Sequence, residues 1–428
     1  MSRSPRRRTD VAGLGVILIA YAALAAGYAT RTPIWQNPDE PAHYNYVAFV
    51  AETGGLPELR AGDWDLALLE RLKTGTLRPT DSVASIRYES WQPPLFYLAA
   101  APVYRFGPTS DVAAVVLRLR ALNAVLGAVT LGVAYLVARE ALAARLAVFV
   151  PAVMVGVPMF TAVSSAIGAD PLANLLAAAA LLPLVRRMRR SIGGIRWPLA
   201  TGVLIGFGVL TKLALAIFVV LALGVILARS SRPRLEALVL MASAALVVAP
   251  WLAHQVTTYG WADPFALGRH AAVVQDQPRF PGLSAGYLAD FATTTFHSFW
   301  AQFGWMALVA PPRLYWAWAI LTVAAVVGLV RERRRLAEPS WRLLLGVIVT
   351  AIIAYIGYNL SFEQFQGRYL FTALVPIAVL LVAGWAAWLP ARLAPWGLGL
   401  IVALLIALNA YALVHVLVPG FAGFALMG

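Results

Sequence analysis

The sequence predicts an all-α integral membrane protein of about eleven transmembrane helices, and three observations predict it. Of 428 residues, 61% are hydrophobic, against roughly 45–50% in soluble domains. The apolar residues fall into eleven runs, each near the roughly 20 residues that a span needs. Cations cluster between those runs, at Arg6-Arg7-Arg8, Arg186-Arg187 with Arg189-Arg190, Arg229 to Arg234, and Arg331 to Arg335. Such clusters in short loops mark the cytoplasmic side of a membrane protein. They also carry most of the formal charge of +14. No basic face of a soluble domain is built, and nucleic acid is excluded as a partner. The chain has no cysteine, which excludes disulfides, thiol nucleophiles and Cys-bound metals.

The first run, 11–29, follows an Arg cluster and reads as an uncleaved helix with a cytoplasmic N-terminus. A long external segment follows at 30–111. Within it, "NPDEPAHYNYV" (37–47) sets Asp39 and Glu40 between two prolines and opens a short helix. The stretch "PPLFYLAAAPVYRF" (93–106) is too short to cross the bilayer. It reads as a helix lying in the interface, started by Pro94. Spans are expected at 112–138, 146–163, 171–186, 197–212, 213–229 and 235–252. A second long external segment, 253–313, precedes spans at 315–330, 343–360, 369–388 and 396–417. Eleven spans put the C-terminus outside, with no soluble domain expected after the last. The whole of 1–428 is read as one transmembrane domain. The glycines of "GVLIGFG" (202–208) suit close packing of one span on another.

The candidate chemistry gathers at the external ends of these spans. Asp39 and Glu40 lie where the first span leaves the bilayer, stiffened by Pro38 and Pro41. A partly desolvated carboxylate there has the pKa range of a general base. The alternative reading is that Asp39 caps the next helix. Asp170, in "AIGADPLANLL", stands at the start of a span, where capping and metal or acceptor binding are both open. Glu89, in "YESWQPPLFY", is either a site acid or an exposed loop acid. Lys212, Arg118 and Arg120 are ionisable groups in apolar runs, which mark functional positions by default, and for the two arginines a phosphate and an acid are both open as partners. Snorkelling to the interface is the alternative for Lys212. Arg368, in "FEQFQGRYLF", presents a guanidinium fork suited to phosphate, and Gly367 before it allows a close backbone approach. His43 is a further external candidate. No histidine pair has protease-type zinc spacing, and no Gly-rich phosphate loop occurs.

The ordered set "NPDEPAHYNYV", "YESWQPPLFYL", "RLRALNAVLGAVTLGVAYLVARE", "SSAIGADPLANLL", "GVLIGFGVLTKLA" and "FQGRYLFTALVPI" resembles the GT-C glycosyltransferases. Within them it is most similar to the protein O-mannosyltransferases and the bacterial lipid A aminoarabinose transferases. The stretches "PDEPAHYNYV", "SFWAQFGW" (298–305) and "QGRYLF" also resemble a group of uncharacterised bacterial membrane proteins related to GT-C. The resemblance implies a polyprenyl-phosphate sugar donor, a lipid, glycan or protein acceptor, and inversion at the anomeric carbon. It implies a bacterial inner or plasma membrane, with the active site extracytoplasmic. Carried over by position, Asp39 is the catalytic base with Glu40 beside it. Asp170, Glu89 and His43 are acceptor or metal-binding candidates. Lys212, Arg368 and Arg120 bind the donor phosphate. A divalent cation is a candidate cofactor. The alternatives are a lipid or small-molecule transporter and a catalytically silent assembly protein. A pocket that brings Asp39, Asp170 and Lys212 within reach of one another counts against the silent protein.

Overall fold

The computed structural model describes residues 5–78, 80–190 and 194–424, with side chains from residue 12 onward. The side chains of Arg6-Arg7-Arg8 lie outside the described residues. Each of the eleven apolar runs forms helix, and eight helices are long and apolar enough to cross a membrane. α1 (Pro5–Arg31) leads into the long segment 30–111, which folds into α2 (Glu40–Thr53), α3 (Leu66–Lys73) and α4 (Leu95–Arg105). Pro94 stands at the N-cap of α4. α2 and α4 pack on the N-terminal end of α5 (Val112–Ala141), with Tyr46, Val47, Phe96, Tyr97, Val115 and Leu119 in a core separate from that of the spans.

Three runs depart from the expected single spans. The run 146–163 breaks into α6 (Ala144–Ala147), α7 (Phe149–Val155) and α8 (Pro158–Val163). Proline disfavours helical backbone in the residue before it, and Val157 is accordingly extended. The run 197–212 yields a helix of 14 residues, α10 (Arg196–Val209), after the long α9 (Asp170–Arg189). The run 213–229 begins with a 3-10 turn and continues as α11 (Ile217–Arg229). The backbone opens between these two helices because Lys212 is extended, at φ −155°.

α12 (Pro233–Tyr259) packs along α10. A Cβ at Gly202 would stand 2.4 Å from the Leu240 carbonyl oxygen, and one at Gly206 would stand 3.0 Å from that of Ala244. Small residues set this approach, as expected from the sequence. The second long segment, 253–313, carries α13 (Leu267–Val273), α14 (Ala285–Trp300) and a two-strand hairpin pairing Gln302 with Val309. The chain continues through α15 (Pro312–Arg331), the short α16 (Arg333–Leu336), α17 (Pro339–Asn359), a 3-10 turn at Gly367–Ala373, α18 (Leu374–Ala386) and α19 (Ala394–Ala412).

At one end of the bundle, Glu140 pairs with Arg186 and Arg190, and Arg187 pairs with Glu236. These pairs tie together the ends of α5, α9 and α12 through the predicted Arg cluster. The candidate site lies at the other ends of α5 and α9.

Candidate active site

The turn before α2 fixes the first acid. Asp39 adopts left-handed backbone, at φ 66°, and so does Trp35, at φ 69°. Each such non-glycine residue costs on the order of 1–3 kcal/mol and persists only where its surroundings over-determine it. The surroundings here are Glu40 and Arg120. Glu40 is 0% exposed and Arg120 1%. Arg120 donates from Nε to Glu40 Oε1 at 2.8 Å and from Nη2 to Oε2 at 2.6 Å. It also donates to the carbonyls of Ala29, Thr32 and Pro33. Glu40 accepts further bonds from the backbone N–H of Trp35 and of Ile167 and from Asn37 Nδ2. Of the two partners open to Arg120, a phosphate or an acid, it has the acid, and this geometry lends no support to the expected catalytic role of Glu40 or the expected phosphate-binding role of Arg120. Their charges face each other in a closed hub and do not line the cavity. Arg118, its neighbour on α5, donates to the Pro108 carbonyl.

Asp39 points the other way, into a cavity of about 500 Å³. It stands at the N-cap of α2 without making a side-chain capping bond, so capping does not explain it. Its Oδ1 accepts from the Tyr88 hydroxyl at 2.8 Å, and its Oδ2 accepts from Arg368 Nη2. Arg368 Nη1 lies 3.9 Å from Asp170 Oδ2, and Asp170 Oδ1 accepts from Lys212 Nζ. The result is a chain of alternating charge, Asp39–Arg368–Asp170–Lys212, whose formal charges cancel. Each member comes from a different element. Asp170 begins α9, Lys212 sits at the break between α10 and α11, and Arg368 sits in the 3-10 turn before α18. That turn is seated through Gly367, whose Cβ would lie 2.4 Å from the Thr295 carbonyl oxygen on α14. The Gly367 N–H donates to Ser298 Oγ at 2.7 Å. Sequence reasoning overlooked Tyr369, whose ring centroid lies 5.2 Å from Lys212 Nζ and 5.6 Å from Arg368 Cζ.

The other candidates line the same cavity. His43 meets the Tyr97 hydroxyl through Nδ1 at 2.8 Å. Burial lowers its pKa to about 4, against the opposing charges of Asp39 and Asp170. Burial also pushes the Asp39 carboxyl up, but the Arg368 guanidinium, His43 and the bonds from Arg368 and Tyr88 outweigh it and hold Asp39 below its usual range. Glu89 goes the opposite way. Burial, and then the Asp39 charge, raise it to about 8. Trp91 and His270, 4.9 Å apart between ring centroids, form an aromatic wall.

The acids are poorly arranged for a divalent cation. Lys212 and Arg368 already sit on the oxygens of Asp170 and Asp39. Among the described residues, no three His, Asp or Glu side chains are grouped closely enough to hold a metal ion. What the arrangement offers is positive charge with donors to spare. An ammonium has three N–H donors and a guanidinium five, and the carboxylates use only some of them while fixing where the rest point.

Residues 73–381 match the family model described as a predicted membrane protein, DUF2142. The chain belongs to this DUF2142 family. No curated protein matches the chain. Solved structures with a similar fold include ArnT from Cupriavidus metallidurans in the apo state, at TM-score 0.58 and 16% identity over 91% of this chain and 62% of that one. The same ArnT bound to undecaprenyl phosphate matches at TM-score 0.54 and 15% identity, over 96% of this chain and 74% of that one. The Archaeoglobus fulgidus oligosaccharyltransferase AglB, in complex with an inhibitory peptide and a dolichol-phosphate, matches at TM-score 0.51 and 14% identity, over 95% and 55% of the two chains. The DUF2142 chain thus spans about six-tenths of the length of apo ArnT. At these identities the likeness is one of fold, shared with ArnT and with the archaeal oligosaccharyltransferase.

Proposed function

We propose that this DUF2142 protein is a membrane glycosyltransferase that moves a sugar from a polyprenyl-phosphate donor to an acceptor on the extracytoplasmic side. The observation that carries the reading is the pair of cations, Lys212 and Arg368, held by Asp170 and Asp39 on the wall of one cavity at the ends of the spans. A lipid phosphate brings a single negative charge attached to a tail that stays in the bilayer. The free N–H donors of Lys212 and Arg368 receive that charge without first having to be ordered. As the bond from the sugar C1 to the phosphate oxygen breaks, a second charge develops on the phosphate. The same donors stabilise it, and this electrostatic contribution is usually the largest in such catalysis. Asp39 and Asp170 act in this reading as orienting groups. The cavity, at about 500 Å³, is within the range of small-molecule sites, roughly 300–1,000 Å³.

The fold supports this reading, since ArnT and AglB with bound lipid phosphates have it. The convergence of Asp39, Asp170 and Lys212 in one cavity counts against a silent assembly protein. Attack by the acceptor on the face opposite the phosphate would invert the anomeric carbon. The test is transfer of radiolabelled sugar from a panel of polyprenyl-phosphate sugars, in membranes that contain the wild type or Lys212→Ala. Transfer by the wild type, with a loss of at least tenfold in the variant, is expected. Equal labelling in both membranes contradicts the reading.

A further inference from the structure

The acceptor must lose a proton, and the sequence assigns that proton to Asp39. Both oxygens of Asp39 are already engaged, Oδ1 by the Tyr88 hydroxyl and Oδ2 by the Arg368 guanidinium, which lowers its basicity. Asp170 is likewise engaged by Lys212, with Arg368 beyond it. Glu89 is the remaining carboxyl among the residues that line the cavity. Its Oε2 accepts from Gln92 Nε2 at 2.6 Å. Among the described residues, its Oε1 has no hydrogen-bond partner, and it is not one of the buried, unpartnered polar atoms. The oxygen is therefore both open and reachable from the cavity.

The segment that carries Glu89 is fixed from three sides. The Tyr46 hydroxyl of α2 donates to the Gln92 carbonyl at 3.1 Å. Gln255 of α12 donates to the Trp91 carbonyl at 3.4 Å. The Gln92 N–H closes a turn on the Glu89 carbonyl at 3.0 Å. Pro93 and Pro94 follow directly. Such anchoring aims a side chain at one place, which a general base requires.

From this geometry we infer that Glu89, rather than Asp39, accepts the proton of the acceptor hydroxyl. The inference rests on the glycosyl-transfer reading. In the step, the acceptor oxygen forms its bond to C1, and the C1–phosphate oxygen bond breaks. The phosphate leaves with the electron pair toward Lys212 and Arg368, and the acceptor proton passes to Glu89 Oε1. The charged and titratable groups that face Glu89 are Asp39, Lys212, Arg368, Tyr88, Tyr97 and Tyr358. Burial first, and Asp39 second, hold the Glu89 carboxyl up, to about 8. That value lies near the working pH, where a base is most effective. His43 also lines the cavity, but with a pKa of about 4 it is the weaker base.

Two measurements on the full-length protein test the inference. The first is kcat/KM against pH for the best lipid-phosphate sugar donor. The wild type should rise with pH to an inflection near 8. Glu89→Gln should lose that limb and roughly 10²–10⁴-fold in rate, the usual worth of a general base. Asp39→Asn should keep the limb and move it to lower pH, because the charge that raises Glu89 is gone. The second is infrared titration of the purified protein, which needs no turnover. A protonated carboxyl band should fade as pH rises through 8 and be missing from Glu89→Gln. Transfer by Glu89→Gln with the wild-type pH limb, or a wild type without that band, overturns the role of Glu89 and leaves the glycosyltransferase reading standing. A wild type that shows the band but transfers sugar from no donor overturns the function, and Glu89's role as base falls with it.

Discussion

Lys212 and Arg368 are each held by an acid that also competes with any incoming anion. Removing the acid and removing the cation therefore have different consequences. Lys212→Ala should weaken binding of a polyprenyl phosphate by at least tenfold. Asp170→Asn leaves Lys212 charged but no longer aimed, so binding should persist while turnover falls. Misplacement by about 1 Å costs on the order of 10²-fold in rate. Measuring the lipid Kd and kcat for both variants separates the two effects. If Asp170→Asn loses binding as fully as Lys212→Ala, the orienting role of Asp170 is refuted. Four members of the alternating chain were legible one by one in the sequence, because an ionisable residue beside an apolar run is costly. Their order was not, since the partners lie far apart along the chain, as Asp39 does from Arg368. Tyr88 and Tyr369 gave no signal beyond standing next to Glu89 and Arg368, in a chain with 15 tyrosines.

At the scale of the element, the Glu40–Arg120 hub holds the turn 35–39 against α5. Removing one partner from a buried ion pair costs about 3–5 kcal/mol, so Arg120→Met should lower the melting temperature in detergent markedly. Donor binding should fall with it, because the left-handed Asp39 loses its support. A variant with wild-type stability would show that the hub is dispensable. The adjacent acids Asp39 and Glu40 read as a pair in sequence and part company in the fold. Asp39 is left-handed and Glu40 is the first helical residue, so one step along the chain turns one carboxylate to the cavity and the other inward. The α10–α12 contact allows a controlled comparison. Gly202→Ala should destabilise, since its Cβ meets the Leu240 carbonyl oxygen at 2.4 Å. Gly224→Ala on α11 meets nothing within 4 Å and should be neutral. Equal melting temperatures for the two variants would contradict the close packing. Glycine spacing made this contact readable in advance. The break at Lys212 falls at the boundary expected between the runs 197–212 and 213–229, although "LTKLAL" holds neither glycine nor proline.

For the whole molecule, the Arg clusters predict an orientation that labelling can test. The cysteine-free chain makes single-cysteine labelling clean. Asp276→Cys, beyond α13, should react with a membrane-impermeant maleimide on intact cells. Arg334→Cys, in α16, should react only after the membrane is opened. The reverse pattern would put the site on the cytoplasmic side and exclude an extracytoplasmic acceptor. Eleven helical runs were legible as apolar segments, and eight of them are long enough alone to span. The remaining three shorten because Pro158 and the extended Lys212 interrupt the backbone. Hydropathy averages over such single-residue events.

The most direct test of the central claim is transfer of labelled sugar from polyprenyl-phosphate donors by the purified protein, with the wild type beside Lys212→Ala and Arg368→Ala. Product from at least one donor is expected with the wild type, and a loss of at least tenfold in each variant. Wild-type transfer that survives the loss of either cation would contradict the assigned phosphate site. Absence of both transfer and lipid-phosphate binding in the wild type would contradict the glycosyltransferase reading itself.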